Sequence, residues 1–199
     1  MSGAVSEPLK TGAVETLAPQ ERDGVEPVPG KFKERSESKD TVDSRAGKYL
    51  AILLGHEEFA IQVLKVREIV GIQDITAVPH TPSYVKGVIN LRGKVIPVVD
   101  LRLKFCLPEV EYTRRTCIIV VQVKSGDVSL LTGIIVDEVS EVLNLIADDI
   151  EDTPNFGDGT ASAGNYLLGM AKVKGKVTIL LDIDRVLSGE PIQPLDGLF

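Results

Sequence analysis

The sequence contains no tryptophan and, in 199 residues, only five phenylalanines and four tyrosines, too few for a platform that stacks nucleobases. Basic residues are also short. Lys and Arg number 22 against 29 Asp and Glu, a net charge of −7. A phosphate-backbone binder needs a clustered Lys/Arg surface, so nucleic acid is excluded as a partner. The two cysteines, Cys106 and Cys117, form neither a Cys-x-x-Cys pair nor a Cys/His cluster, which leaves a disulfide framework and a zinc site without support. Both are expected to be reduced and mostly packed. No apolar run approaches the roughly 18 residues of a membrane-spanning helix, and the N-terminus has no apolar signal region. A cytosolic location is expected.

What is present is aliphatic. Val, Ile and Leu dominate after residue 48, and these residues fit a pleated, half-buried surface, so an all-β core is predicted. Residues 1–47 hold four Pro, sixteen charged residues and one aromatic, Phe32, a composition expected to stay disordered. Tyr49 to Leu54, a turn at Gly55 to Glu58 and Phe59 to Ile61 predict a hairpin. Gln62 to Val70 reads equally as an extended strand or a short helical turn. Pro79 and Pro82 then break the chain, and Arg92-Gly93-Lys94 supplies the turn of a second hairpin.

The chain also echoes itself. Shifted by 82 positions, Tyr84, Gly87, Gly93, Lys94, Val95 and Asp100 fall on Tyr166, Gly169, Gly175, Lys176, Val177 and Asp182, six identities in 22 positions. Shifted by 73, Ile61, Val63, Val66 and Glu68 fall on Ile134, Val136, Val139 and Glu141. The difference between the shifts implies an insertion in the second copy, where Gly157, Gly159 and Gly164 mark a surface loop. A duplicated β-unit follows, each half too small to bury much surface alone.

Catalytic and metal readings fail on local sequence. One Asp per half, Asp100 and Asp182, suggests an aspartic protease, but Leu101 and Ile183 follow where a hydroxyl residue and Gly are needed; both Asp are expected to cap short helical turns. His56 lies in a turn and His80 between prolines, without the partners that base catalysis requires. Gly157 to Gly164 lacks the Gly-Lys-Ser/Thr ending of a phosphate loop. Asp148, Asp149, Glu151 and Asp152 lack calcium-loop spacing and are expected to form a solvated acidic edge. No catalytic residue, cofactor or metal site is assigned.

Three stretches carry a family resemblance: Val66-Arg67-Glu68-Ile69, Pro79-His80-Thr81-Pro82, and Lys86 through Gly87-Val88-Ile89-Asn90-Leu91-Arg92-Gly93 to Arg102. They closely resemble the CheW family of bacterial chemotaxis coupling proteins, and Gly133 to Leu143 looks like that family's second-half signature. The resemblance covers about residues 48–189 and implies a CheW-like domain at 48–190, divided near 48–108 and 109–190 with room for strands to cross over, then a short tail at 191–199. It implies two packed, five-stranded SH3-like β-barrels with short helical turns and no cofactor. The implied role is that of a non-enzymatic adaptor in receptor arrays under the inner membrane, with two partners: chemoreceptor cytoplasmic tips and the regulatory domain of the histidine kinase CheA. Carried over residue by residue, Val66, Glu68, Gly87, Asn90 and Arg92, together with Gly133 and Val142, match the family's partner-contact region.

The two copies differ where Asn90-Leu91-Arg92-Gly93 becomes Lys172-Val173-Lys174-Gly175, and only Arg offers a planar bidentate contact. Because Glu68 recurs as Glu141 and Arg92 as Lys174, an ion pair is expected to brace each half, so Arg92 carries both a bracing and a partner-contact reading. The rivals are a relative such as CheV, though no receiver domain is expected after residue 190; a barrel for oligonucleotides or small anions, whose basic aromatic surface the sequence does not supply; and an enzyme.

Overall fold

Cys117 to Val123 is a continuous apolar run broken only by Gln122, and in the computed structural model it is one strand buried on both faces. The structure describes residues 44–126, 128–154 and 163–188. Its elements are β1 (Gly47–Leu54), β2 (Glu57–Gln62), β3 (Val66–Gly71), β4 (Val85–Leu91), β5 (Lys94–Asp100), α1 (Leu101–Lys104), β6 (Cys117–Ser125), β7 (Val128–Val136), β8 (Glu138–Leu145), β9 (Ile150–Glu151), β10 (Leu167–Val173), β11 (Lys176–Leu181) and α2 (Ile183–Ser188). The segment read as strand or helical turn contains both: a 3-10 turn over Val63–Lys65 leads into β3.

The strands form two sheets, ordered β8-β1-β2-β11-β10-β9 and β3-β6-β7-β5-β4. Each hydrogen-bond ladder is open, but the chain leaving one edge pairs with the other edge. Beyond β8, β9 pairs with β10; beyond β3, Thr76 exchanges two 2.9 Å hydrogen bonds with Val88 of β4. Each sheet thereby curls around a core of its own. Tyr49, Ala51, Ala60, Leu143, Leu145, Ile150, Ala171 and Leu180 fill the first, and Ile89, Ile96, Val98, Ile118, Val120 and Ile135 the second. Alternate residues of the same strands point the other way: Leu50, Ile52 and Leu54 of β1, and Ile119, Val121 and Val123 of β6, meet in a third core shared by both sheets. This period of two explains why Tyr49 to Leu54 of β1 and Ile118 to Val121 of β6 are continuously apolar.

The duplication is visible element by element. Asp100 accepts hydrogen bonds from Arg102 N (2.9 Å) and Leu103 N (3.3 Å), and Asp182 from Asp184 N (3.1 Å) and Arg185 N (3.3 Å), so both act as the N-caps predicted. Parallel pairing of β5 with β7 matches that of β11 with β2. These parallel contacts also reveal an exchange. Strands β1 and β2, from the first half, complete the sheet of β8 to β11, while β6 and β7, from the second half, complete the sheet of β3 to β5. Each sheet therefore takes strands from both sides of the 48–108 and 109–190 division, the crossover for which the resemblance left room.

The described fold includes residues just before the expected boundary at Lys48. β1 opens at Gly47, and Arg45 forms a 2.7 Å ion pair with Asp152 and donates to Leu168 O at 3.1 Å. A single guanidinium reaching across a sheet leaves no apolar pattern in sequence. The disorder expected for residues 1–43, the tail at 191–199 and the insertion at 157–162 lie outside the described residues.

Candidate functional site

The two hairpin turns are built alike. Arg92 (φ 52°) and Gly93 (φ 83°) join β4 to β5, and Lys174 (φ 50°) and Gly175 (φ 80°) join β10 to β11. Two consecutive positive φ values define the tight turn whose twist suits a two-residue hairpin. Glycine adopts this conformation freely, whereas Arg and Lys do so at a cost. Asn90 Oδ1 accepts from Gly93 N at 2.9 Å and fastens the first turn. From it Arg92 Nη2 reaches Glu68 Oε1 on β3 at 2.7 Å, and Lys174 Nζ reaches Glu141 Oε1 on β8 at 2.8 Å. The ion pair expected in each half is thus present. It is exposed, with the Arg92 and Lys174 side chains 79% and 72% accessible, so each pair is worth about 0–1 kcal/mol.

The remaining residues matched to the partner-contact region occupy three environments. Val66 is half-buried against the shared core. Gly87 (φ 138°) and Gly133 lie where chain passes chain: a Cβ on Gly87 would stand 2.1 Å from Thr76 O, and one on Gly133 2.8 Å from Ile118 Cγ2. Val142, on β8, is 55% exposed. Sequence reasoning missed Ile69, Val95 and Val177, apolar residues exposed by 45%, 72% and 54%. The signal was available in the repeat, because Ile69 aligns with Val142 and Val95 with Val177. Both halves therefore expose large apolar side chains at equivalent positions.

The excluded chemistries can be revisited. His56 and His80 are exposed. Asp149 accepts from Ile146 N at 3.0 Å, Glu151 pairs with Lys172, and Asp152 pairs with Arg45; three of the four residues read as a solvated edge thus also fasten it. Among the described residues no group of three or more His, Cys, Asp and Glu side chains is placed to hold a metal. The reading as mostly packed suits Cys117, which packs against the shared core, and needs correction for Cys106. Cys106 is exposed, because it follows α1 in a left-handed conformation (φ 58°) that turns the chain outward. Cys117 is half-buried, and burial raises its thiol pKa.

Lys86, Glu109, Val110, Glu111 and Tyr112 line an open cavity of about 440 Å³. A 2.7 Å hydrogen bond between Lys86 and Glu109 raises the ammonium pKa and lowers that of the carboxyl. Burial raises the Tyr112 phenol, with the nearby Asp100 charge adding to it. Desolvation likewise holds the Asp100 carboxyl above its ordinary range, against the pull of its two backbone hydrogen bonds. A carboxyl raised on folding contributes stability that is full below its unfolded pKa, about 4, and lost as pH rises through the folded value. Asn caps equally well and does not titrate. Asp100→Asn is therefore expected to gain stability relative to the parent as pH rises from 3 to 7, and to lie within about 1 kcal/mol of it at pH 7. Urea midpoints across that range will check this; a parent-to-variant difference independent of pH would contradict it.

Comparison with known proteins supplies the identity. The family model described as CheW-like domain matches residues 48–190. The chain is 39% identical over 163 residues to a chemotaxis protein CheW of Klebsiella aerogenes, covering 79% of this chain and 95% of that one. It is 34% identical over 155 residues to that of Bacillus subtilis, covering 77% and 95%. The crystal structure of the scaffolding protein TtCheW from Thermoanaerobacter tengcongensis is similar with a TM-score of 0.61 at 29% identity, over 71% of this chain and 87% of that one. Among the described residues no helix is long and apolar enough to cross a membrane. The chain belongs to the CheW-like family and is a non-enzymatic scaffolding adaptor of chemotaxis signalling.

Proposed function

We propose that this chain couples the cytoplasmic tips of chemoreceptors to the regulatory domain of the histidine kinase CheA, within receptor arrays under the inner membrane, by presenting one partner surface on each half. The observation that carries the reading is the recurrence of exposed features: Ile69 and Val95 with the Glu68–Arg92 turn on one sheet, Val142 and Val177 with the Glu141–Lys174 turn on the other. A bridge needs two separate surfaces, and a duplicated fold supplies them. No bond is made or broken. Coupling then rests on geometry, and it requires the receptor's signalling states to hold the adaptor differently, since equal binding to both shifts nothing.

Of the matched residues, Glu68, Arg92 and Val142 are the contact candidates. Asn90 fixes the turn that presents Arg92, while Val66, Gly87 and Gly133 act through packing. Arg92 is held in a costly backbone conformation for an ion pair of small worth, a combination that favours a role outside stability. Arg92→Asn should therefore leave the melting temperature unchanged or slightly raised, because Asn tolerates positive φ. It should also weaken partner binding by about tenfold or more, the scale of an interfacial arginine. Co-sedimentation with a receptor signalling fragment and CheA, with kinase activity followed in parallel, tests both claims. Absence of binding to either partner by the parent chain would end the coupling reading, and binding unaffected by Arg92→Asn would return Arg92 to a bracing role.

A further inference from the structure

Duplication followed by strand exchange poses a choice. Equivalent strands of the two halves have equivalent patterns, so β1 and β2 would bury similar apolar surface beside β3 to β5 as they do beside β8 to β11. The apolar cores do not by themselves distinguish the exchanged arrangement from one in which each half closes on itself. Two ion pairs at the crossover segments do.

Arg102 of α1 pairs with Asp137, which joins β7 to β8, and Asp184 of α2 pairs with Lys65, at the end of the turn joining β2 to β3. Their side chains are 12% and 25%, and 25% and 22%, accessible, unlike the exposed basic partners at the hairpin turns. In the repeat Arg102 aligns with Asp184, while Leu64 and Lys65 align with Asp137 and Glu138. A helix-to-crossover contact thus occurs twice, offset by one residue in the crossover, with its polarity reversed. At the paired positions the first half is basic on helix and crossover, Arg102 and Lys65, and the second is acidic on both, Asp184 and Asp137. In the exchanged fold each helix meets the other half's crossover, and opposite charges face one another. In halves closed on themselves, Arg102 would meet Lys65, and Asp184 would meet Asp137 and Glu138. Like charges at partly buried sites are strongly disfavoured, because the surrounding dielectric screens them less than water does.

We propose that this polarity reversal selects the exchanged topology by penalising self-closed halves, a specificity set by charge rather than by apolar fit. It is independent of the coupling role. The topology can be read on the surface: Lys48 on β1 and Asn144 on β8 are exposed cross-strand partners from different halves. In a background of Cys106→Ser and Cys117→Val, the pair Lys48→Cys and Asn144→Cys reports the exchange as an intramolecular disulfide formed on refolding. Three charge variants are compared in it. Arg102→Met with Asp184→Asn removes both attractions and introduces no clash; the disulfide still forms, with the melting temperature lowered by about 5 °C. Arg102→Asp with Asp184→Lys sets like charges in the exchanged fold, and the disulfide yield falls severalfold below that of the neutral variant. Adding Lys65→Asp and Asp137→Lys restores opposite polarity at both contacts and recovers the yield. A swapped variant that matches the neutral one would overturn the proposal. So would a fourfold variant that fails to recover, which would assign the loss to packing rather than charge.

Discussion

Gly87→Ala is expected to destabilise the protein by about 3–5 kcal/mol, a large part of what a domain of this size has. The new Cβ would stand 2.1 Å from Thr76 O and 2.7 Å from its carbonyl carbon, at a φ of 138° that side chains rarely adopt. Thr76 cannot recede, because its two hydrogen bonds to Val88 draw the chain beyond β3 onto β4. Gly93→Ala provides the contrast: nothing lies within 4 Å, only φ is unfavourable, and the loss should be about 1 kcal/mol. Urea denaturation of both variants checks the difference, and equal midpoints would contradict it. The result also bears on function. Weakened partner binding by a Gly87 variant would be a folding defect, whereas the same loss in Arg92→Asn would not.

Phe105→Ala should have a comparable effect, about 3–5 kcal/mol. Its ring stacks on Phe59 with centroids 5.6 Å apart and contacts Tyr166 at 5.7 Å. It thereby joins α1 to β2 of the other sheet and to the second copy's aromatic residue, inside the shared core. Because this core belongs to both sheets, its loss should lower one cooperative transition rather than loosen one half. Hydrogen exchange would show this as parallel loss of protection in both sheets; protection lost in one sheet alone would contradict the reading.

Much of this was legible in the sequence because it is written twice. The Asp100 and Asp182 caps, the basic-Gly turns and the Glu68–Arg92 and Glu141–Lys174 pairs each rest on short-range chemistry that recurs at a fixed shift. The strand exchange was allowed for by the family resemblance, but the repeat alone does not give it. A repeat tells which residues are equivalent, and equivalent residues are equally content in either sheet, so partner choice resides in a few charges at the crossovers. Cys106 was misjudged for a local reason: the second residue after α1 takes a left-handed conformation, and nothing in Lys104-Phe105-Cys106-Leu107 announces it. The apolar positions Ile69 and Val95 were missed because strand periodicity assigns such residues to a core, and only accessibility separates them from buried neighbours. On the matched site itself, sequence pointed to a region, and geometry separates Gly87 and Gly133, which fill no space by necessity, from Arg92 and Val142, which face outward.

The exchange of strands also sets a timetable for the growing polypeptide. All strands of one sheet, β3 to β7, lie in a contiguous stretch, so that sheet can assemble as soon as Val136 has left the ribosome. The hairpin of β1 and β2 is synthesised first, yet its neighbours are β8 and β11, the latter ending at Leu181. At roughly 5–20 residues per second, it waits on the order of ten seconds for both neighbours. During that interval Leu50, Ile52, Leu54, Phe59 and Ile61, all buried in the finished fold, have no permanent partner, and the nascent chain is most in need of a chaperone.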